Sequence, residues 1–260
     1  MPESFIALLG FLFFLLGSVF GSFLECLADR GEKGISIITN ERSFCPACGH
    51  TLGAFDLIPI ISWLALRGKC RYCGAKIPPR HLILEAGTAC IFTALFLRFG
   101  LSLSLLRGLI LMCCFIPAAI RDFDKGEIPD GFFITASLLW LPTLLIDPDW
   151  KASLVSGLLG AVAVPGVLLA LAVLMEKILK KDALGGADIK LLFASGFYLG
   201  LGKSLLCLLL MSVYGLVLAA VLKKKSKEAF PLGPAILFAV FTAFIAGDPL
   251  IGWYLSLLNI

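Results

Sequence analysis

The chain predicts an all-α polytopic membrane protein of about eight transmembrane helices, with one small hydrophilic insertion near its amino terminus. Three observations predict it. Hydrophobic residues fill 59% of the 260 positions and charged ones only 15%, where a soluble domain carries about a quarter charged residues. Apolar runs recur along almost the whole length, in keeping with a mean hydropathy of +0.98. A single long polar stretch, residues 28–82, interrupts them.

The runs are, in order, Phe5 to Leu27, Ile83 to Leu97, Leu103 to Ile120, Phe132 to Ile146, Leu154 to Met175, Ile189 to Leu201, Leu205 to Leu222 and Leu232 to Leu258. A spanning helix takes roughly 17 to 25 residues. Ile83 to Leu97 and Ile189 to Leu201 therefore need flanking polar residues to lengthen them, and the last run is open to a break at Gly247-Asp248-Pro249. The first run is long, lacks a basic start and follows Glu3, which reads as a membrane helix and not a cleaved signal peptide. Glu176 to Asp182 and Lys223 to Glu228 read as charge-rich hairpin loops, and no internal repeat is evident. The expected division is a first transmembrane helix at 1–27, a cytoplasmic insertion at 28–82 and a membrane domain at 83–260.

Charge placement gives the orientation. With Met1 outside and eight alternating spans, the inner segments are 28–82, 121–130, 176–190 and 223–230, and they hold 18 of the 22 Lys and Arg. Arg98, Arg107, Lys151 and Lys203 remain outside. Basic residues gather on the cytoplasmic side, so both termini are expected outside. The modest net charge of +4 reports this topology and not nucleic-acid binding.

Of nine cysteines, Cys26, Cys90, Cys113, Cys114 and Cys207 lie in apolar segments, where thiols act as small hydrophobic residues. The other four form Cys45-Pro46-Ala47-Cys48 and Cys70-Arg71-Tyr72-Cys73, two Cys-x-x-Cys knuckles 21 residues apart, each followed by a glycine. Two such turns complete a closed tetrahedral zinc site, structural because no position is left for water. Two disulfides are the alternative, which the reducing cytoplasm disfavours. His50 offers a substitute ligand, but four thiolates already fill the site. A polar segment this short needs such a staple to fold.

Carboxylates at a membrane boundary are functional candidates. Arg121-Asp122-Phe123-Asp124-Lys125-Gly126-Glu127-Ile128-Pro129-Asp130 closes one apolar run, and Leu184-Gly185-Gly186-Ala187-Asp188-Ile189-Lys190 opens another. Asp122 and Asp188 belong to different helices and can face each other at one depth. Two carboxyls in such a place share a proton and act together as general base and general acid. Gly185, Gly186 and Ala187 leave room for a substrate backbone or a second helix. Structural readings compete: Asp188 as a helix cap, Asp130 as the N-cap of the next helix, and Asp124 and Glu127 as solvated loop charges.

In these residues the chain resembles the bacterial type IV prepilin peptidases, the prepilin leader peptidase/N-methyltransferases among the GxGD intramembrane aspartyl proteases. Gly21-Ser22-Phe23-Leu24 with Arg30 resembles the family's amino-terminal motif. Arg42 to His50, Ile58-Pro59-Ile60-Ile61-Ser62-Trp63, Arg67 to Gly74 and Glu85 resemble its cytoplasmic domain. Asp122 to Asp130 and Gly185 to Lys190 resemble its two aspartate motifs. The resemblance implies a bacterial inner-membrane enzyme whose active site, Asp122 with Asp188, lies at the cytoplasmic face. It would cleave the basic leader of type IV prepilins and type II secretion pseudopilins after a glycine. It would then methylate the new amino terminus from S-adenosylmethionine. Cys45, Cys48, Cys70 and Cys73 would hold Zn²⁺. No Rossmann-type glycine fingerprint marks the methyl-donor site, for which Glu85 is the one candidate.

The chain departs from the family at Glu25, where asparagine is common, at Gly31-Glu32 in place of Leu-Pro, at Leu57 in place of asparagine before Ile-Pro, and at Ala187 in place of the second glycine of GxGD. The amino-terminal and cytoplasmic changes, the first three, bear on methyl transfer more than on proteolysis. Glu25, Asp29 and Glu32 read either as attractors of a basic leader or as a solvated face. Rival readings are a leader peptidase without methyltransferase activity, an ion-coupled transporter with Asp122 and Asp188 as cation ligands, and a noncatalytic zinc scaffold. Transporter carboxylates sit near the bilayer midplane, whereas these fall at helix ends.

Overall fold

The computed structural model describes residues 3–32, 43–179, 185–222 and 231–257. Among them the chain is helical, with no strand beyond two isolated bridges. α1 (Glu3–Glu32) precedes the polar insertion, which holds a 3-10 turn (Ala54–Leu57) and α2 (Ile61–Ala65). Then follow α3 (Pro79–Phe99), α4 (Leu103–Lys125), α5 (Asp130–Leu145), α6 (Trp150–Leu179), α7 (Gly186–Leu222) and α8 (Gly233–Leu257). Six of these are long and apolar enough to cross a membrane, and α5 is an apolar helix of 16 residues. α7 is broken at Gly200, whose φ of 70° and ψ of 179° only glycine adopts without strain. Its two arms carry the two runs expected at 189–201 and 205–222. Counting them separately, the described residues contain eight apolar helical segments, as the sequence predicts.

Polar flanks lengthen the helices as expected. Pro79 starts α3, its fixed φ suiting the first turn and its missing N–H costing nothing there. α1 runs on through Asp29 and Arg30. Two expectations need correction. α8 continues unbroken through Gly247-Asp248-Pro249, with Pro249 inside it, and Asp248 pairs with Lys203 at 2.7 Å. Glu176 to Leu179 extend α6 instead of forming a loop; residues 180–184 and 223–230 lie outside the described residues.

Two compact units divide the chain, residues 1–101 and 102–260. In the first, α1 lies along α3 with backbones nearly touching. A Cβ on Gly17 would stand 2.7 Å from Ala89 Cα, and one on Gly21 2.8 Å from Glu85 Cα. Small residues four apart give membrane helices this approach. Phe13 stacks on Phe96 at 4.7 Å between ring centres, and Phe20 meets Phe92. The consequence is positional: the polar end of α1, with Glu25, meets the first turn of α3.

In the second unit α4 packs against α5, α7 and α8, and α6 against α7. Gly160 and Gly196 face each other so closely that a Cβ on Gly160 would lie 2.5 Å from Gly196 O. Trp140, fully buried, covers Gly157 and Phe197. At the start of α4, Arg107 pairs with Asp147 at 2.8 Å, and Asp147 also accepts from Ser153 at 2.6 Å. The Ser153 hydroxyl, the Asp149 amide and Arg107 hold the Asp147 carboxyl below its usual range against the effect of burial. Gly196→Leu is expected to force α6 and α7 apart, at a cost of about 3 kcal/mol, the upper end for overpacking. Thermal unfolding in detergent measures it, with Gly166→Leu, where a side chain meets open space, as the unchanged control.

Candidate active site and metal centre

Asp122 owes its place to how α4 ends. The Ser102 hydroxyl caps the helix start by accepting from the Leu105 amide at 3.3 Å. Gly126, at φ 69°, stops the helix and donates its amide to the Asp122 carbonyl at 2.8 Å. Asp122 therefore sits in the last turn, 7% exposed. Its Oδ2 accepts the buried amide of Gly233, at the start of α8, at 2.5 Å. A Cβ on Gly233 would stand 2.7 Å from Asp122 Cβ, so only glycine fits.

Asp188 occupies the first turn of α7 and is 8% exposed. Its amide donates to Gly185 O at 3.1 Å. A Cβ on Gly185 would lie 2.9 Å from Asp188 Oδ2, so this glycine makes room for the aspartate itself. α4 packs against α7, and the two carboxyls lie near enough to interact. The two aspartates expected to converge thus share one buried place. A pair of buried carboxyls on separate helices can exchange a proton with water and with a bound carbonyl.

The neighbouring charges sort differently from the expectation. Arg121, counted as an inner-loop cation, lies inside α4 and is 9% exposed, and its Nε and Nη1 meet no partner among the described residues. Asp130 does not cap α5: Pro129 takes the cap position, and Asp130 pairs with Lys190 of α7 at 2.7 Å. The proline fixes the entry dihedral, so the carboxyl is released for a link between helices. Asp124 and Glu127 are exposed. Gly233 was missed in the sequence; its only signal there is the Gly233-Pro234 pair opening an apolar run.

In the insertion, Cys45, Cys48, Cys70 and Cys73 bring their sulfurs within 4.8 Å of one another. A tetrahedral zinc with bonds of about 2.3 Å requires sulfurs about 3.8 Å apart, and Cys45 and Cys73 stand at 3.9 Å. All nine cysteines are free, so the disulfide alternative is not realised. The two knuckles read from the sequence repeat one backbone hydrogen-bond pattern. Gly49 donates to Cys45 O and Gly74 to Cys70 O, Cys45 to His50 O and Cys70 to Ala75 O, Leu52 to Ser43 O and Ile77 to Gly68 O. Between Ser43 and Leu52 and between Gly68 and Ile77 only the cysteine and glycine positions recur in sequence, because only they are fixed by the turn. Amides of Cys48 and Ala47 bring the Cys45 thiol down to about 7. The Ala75 amide lowers Cys73 too, but burial and the other three sulfurs carry it up to about 11. Four sulfurs this close do not all ionise without a cation, and the donor set suits Zn²⁺. His50 is not among the ligands; it stacks on Tyr72 at 3.6 Å. Tyr72 in turn donates to Asp56, which also pairs with Arg71 at 2.8 Å.

Beside this centre the first unit encloses a cavity of about 600 Å³. Glu25, Glu85, Phe44, Trp63 and Ser62 are among its walls. Glu25 is not a solvated charge: it is 4% exposed, accepts from His81 Nδ1 at 2.9 Å, and has Arg80 Nε at 3.4 Å. Leu57 is exposed; the side chain of Glu32 lies outside the described residues, as does Arg42.

A helical membrane protein with two buried aspartates converging from separate helices has the architecture of an intramembrane aspartyl protease. Comparison with known proteins supplies the family. Residues 15–99 match the Bacterial Peptidase A24 N-terminal domain, and residues 109–220 match the Type IV leader peptidase family. The chain is 34% identical to the prepilin leader peptidase/N-methyltransferase of Bacillus subtilis (strain 168) over 250 residues, 94% of this chain and 97% of that one. It is 30% identical to the protein of that description from Neisseria gonorrhoeae, over 93% of each. With the one from Aeromonas hydrophila it shares 33% identity over 83% of this chain and 75% of the other. No solved structure matches it. The chain belongs to the type IV leader peptidase family.

Proposed function

We propose that this protein removes the leader of type IV prepilins and type II secretion pseudopilins and then methylates the new amino terminus. The observation that carries the proposal is the buried pair Asp122 and Asp188, on separate helices of a chain related along nearly its whole length to such enzymes. One aspartate takes a proton from the attacking water while the other gives one to the scissile carbonyl. Gly233 fixes the Asp122 carboxyl through its amide. Both aspartates lie in helix-terminal turns, and the charge bias puts those ends at the cytoplasmic face of the inner membrane. A substrate whose apolar segment lies in the bilayer presents its polar leader there.

Residues 28–82 form the cytoplasmic zinc domain, with Cys45, Cys48, Cys70 and Cys73 holding a structural Zn²⁺. S-adenosylmethionine, when bound, supplies an electrophilic methyl group. The chain's own task is to hold the new amine unprotonated, since a protonated amine has no lone pair to offer. Two mass-spectrometric assays on one detergent preparation, for leader loss and for a single methyl addition, test the reading. Wild type is expected to cut a synthetic prepilin without S-adenosylmethionine, and Asp188→Asn to methylate a substrate supplied already cleaved. Cleavage that is never followed by methylation would leave a monofunctional peptidase.

A further inference from the structure

The cavity of the first unit has a property that its walls do not satisfy by themselves. Glu85 is 8% exposed, and its Oε2 accepts one hydrogen bond, from the Ile60 amide at 2.7 Å. It has no cationic partner among the described residues. Glu25, on the same cavity, is by contrast matched by His81 and Arg80. A carboxylate buried without a countercharge costs several kcal/mol and is found where something else supplies the charge. Ile60 is itself held at φ 63°, ψ −54°, a conformation a β-branched residue rarely takes. Such strain gathers at ligand clamps. Trp63 adds a second unmet group, its buried indole Nε1 lacking an acceptor.

We propose that this cavity is the S-adenosylmethionine site, and that Glu85 is the countercharge for the cationic methionine end of that molecule. The inference rests on the methyltransferase reading above and locates the site within it. About 600 Å³ falls inside the range of roughly 300 to 1,000 Å³ common for small-molecule sites. The walls combine aromatic and aliphatic surface, Phe44, Trp63, Leu66 and Ile77, with carboxylates and with the cations Arg30, Arg71 and His81, of which Arg71 and His81 are taken up by Asp56 and Glu25. That mixture suits a compact molecule with a flat aromatic base at one end and positive charge at the other. An extended polybasic leader, the other cationic candidate, has no use for the apolar walls. The departure at Glu25 does not empty the site, because His81 and Arg80 neutralise it.

Binding to the intact protein in detergent tests the proposal without reference to turnover. Calorimetry should show wild type binding S-adenosylmethionine and its protonated amine analogue sinefungin. Glu85→Gln should weaken both by about 10- to 100-fold, the loss expected for a hydrogen bond to a charged group. It should weaken the uncharged thioether product less. Cys26, half-buried on the cavity wall, should be alkylated more slowly when S-adenosylmethionine is present, read by peptide mass spectrometry. Trypsin resistance at Arg67, Lys69 and Arg71 and a full complement of zinc show that Glu85→Gln keeps the first unit folded. Unchanged affinity in that folded variant, or unprotected Cys26, overturns the site while the methyltransferase reading stands. Weakened binding of a basic leader peptide with unchanged S-adenosylmethionine affinity reassigns the cavity to the leader. Wild type that binds no S-adenosylmethionine and adds no methyl group overturns both.

Discussion

Asp122→Asn and Asp188→Asn are each expected to slow leader removal on the order of 10²- to 10⁴-fold, the usual contribution of a positioned acid–base group. Asparagine keeps the shape of the side chain, and its carbonyl oxygen can still accept from the Gly233 amide that now meets Asp122 Oδ2. What it cannot do is take up or release the proton that the two carboxyls exchange, so either change disables the pair and not half of it. Two companions bracket the result. Asp130→Asn loses an exposed ion pair to Lys190, worth about 0–1 kcal/mol, and should cleave nearly as wild type does. Gly233→Ala puts a methyl group 2.7 Å from Asp122 Cβ, so it should slow cleavage by displacing a carboxyl it leaves chemically intact. The measurement is the single-turnover rate of leader loss on purified variants, beside a thermal melt that shows each is folded. Cleavage near the wild-type rate by either asparagine variant removes the assignment.

The apolar runs forecast the helices because, in lipid, length and hydropathy are the dominant local requirements on a spanning segment. Even the break at Gly200 fell within two residues of the gap, 202–204, between two runs. Helix ends were less legible. Asp29, Arg30 and Glu32, and likewise Glu176 and Lys177, are charged yet helical, since a helix that has left the bilayer needs no apolar side chains. The aspartates and the four cysteines stand out in sequence because their chemistry is rare in such surroundings. Gly233 does not, because its contribution is a backbone amide and an absent side chain, delivered 111 positions from Asp122. The compensation of Glu25 by His81 was hidden for a related reason. It depends on Gly17 and Gly21 letting α1 close on α3, a contact that composition cannot announce.

Zinc removal is expected to have the second large effect, and to fall on the other unit. Between the two knuckles the insertion holds only a 3-10 turn and the five-residue α2, neither of which buries a residue. Among the described residues its other side-chain ties include the Asp56 contacts with Tyr72 and Arg71, the His50–Tyr72 stack and the Ile60 amide's bond to Glu85. Arg71, Tyr72 and His50 are exposed, and pairs that reach solvent are each of small worth. Structural zinc in small modules contributes apparent free energies of about 10–16 kcal/mol at neutral pH, so the metal outweighs everything else that holds this segment. Chelation, or Ser at Cys45, Cys48, Cys70 or Cys73, should therefore open the segment to trypsin at Arg67, Lys69 and Arg71. It should also abolish S-adenosylmethionine binding, because Phe44, Trp63 and Leu66 would no longer wall the cavity. Leader removal, assigned to Asp122 and Asp188 in the second unit, should survive in larger part. Asp56→Ala, which severs the polar tie and leaves the sulfurs alone, should do far less than any cysteine change. Metal analysis of the purified protein, tryptic mapping before and after chelation, and both activity assays measure it. A segment that stays trypsin-resistant with its zinc withdrawn shows that packing, and not the metal, holds these knuckles together.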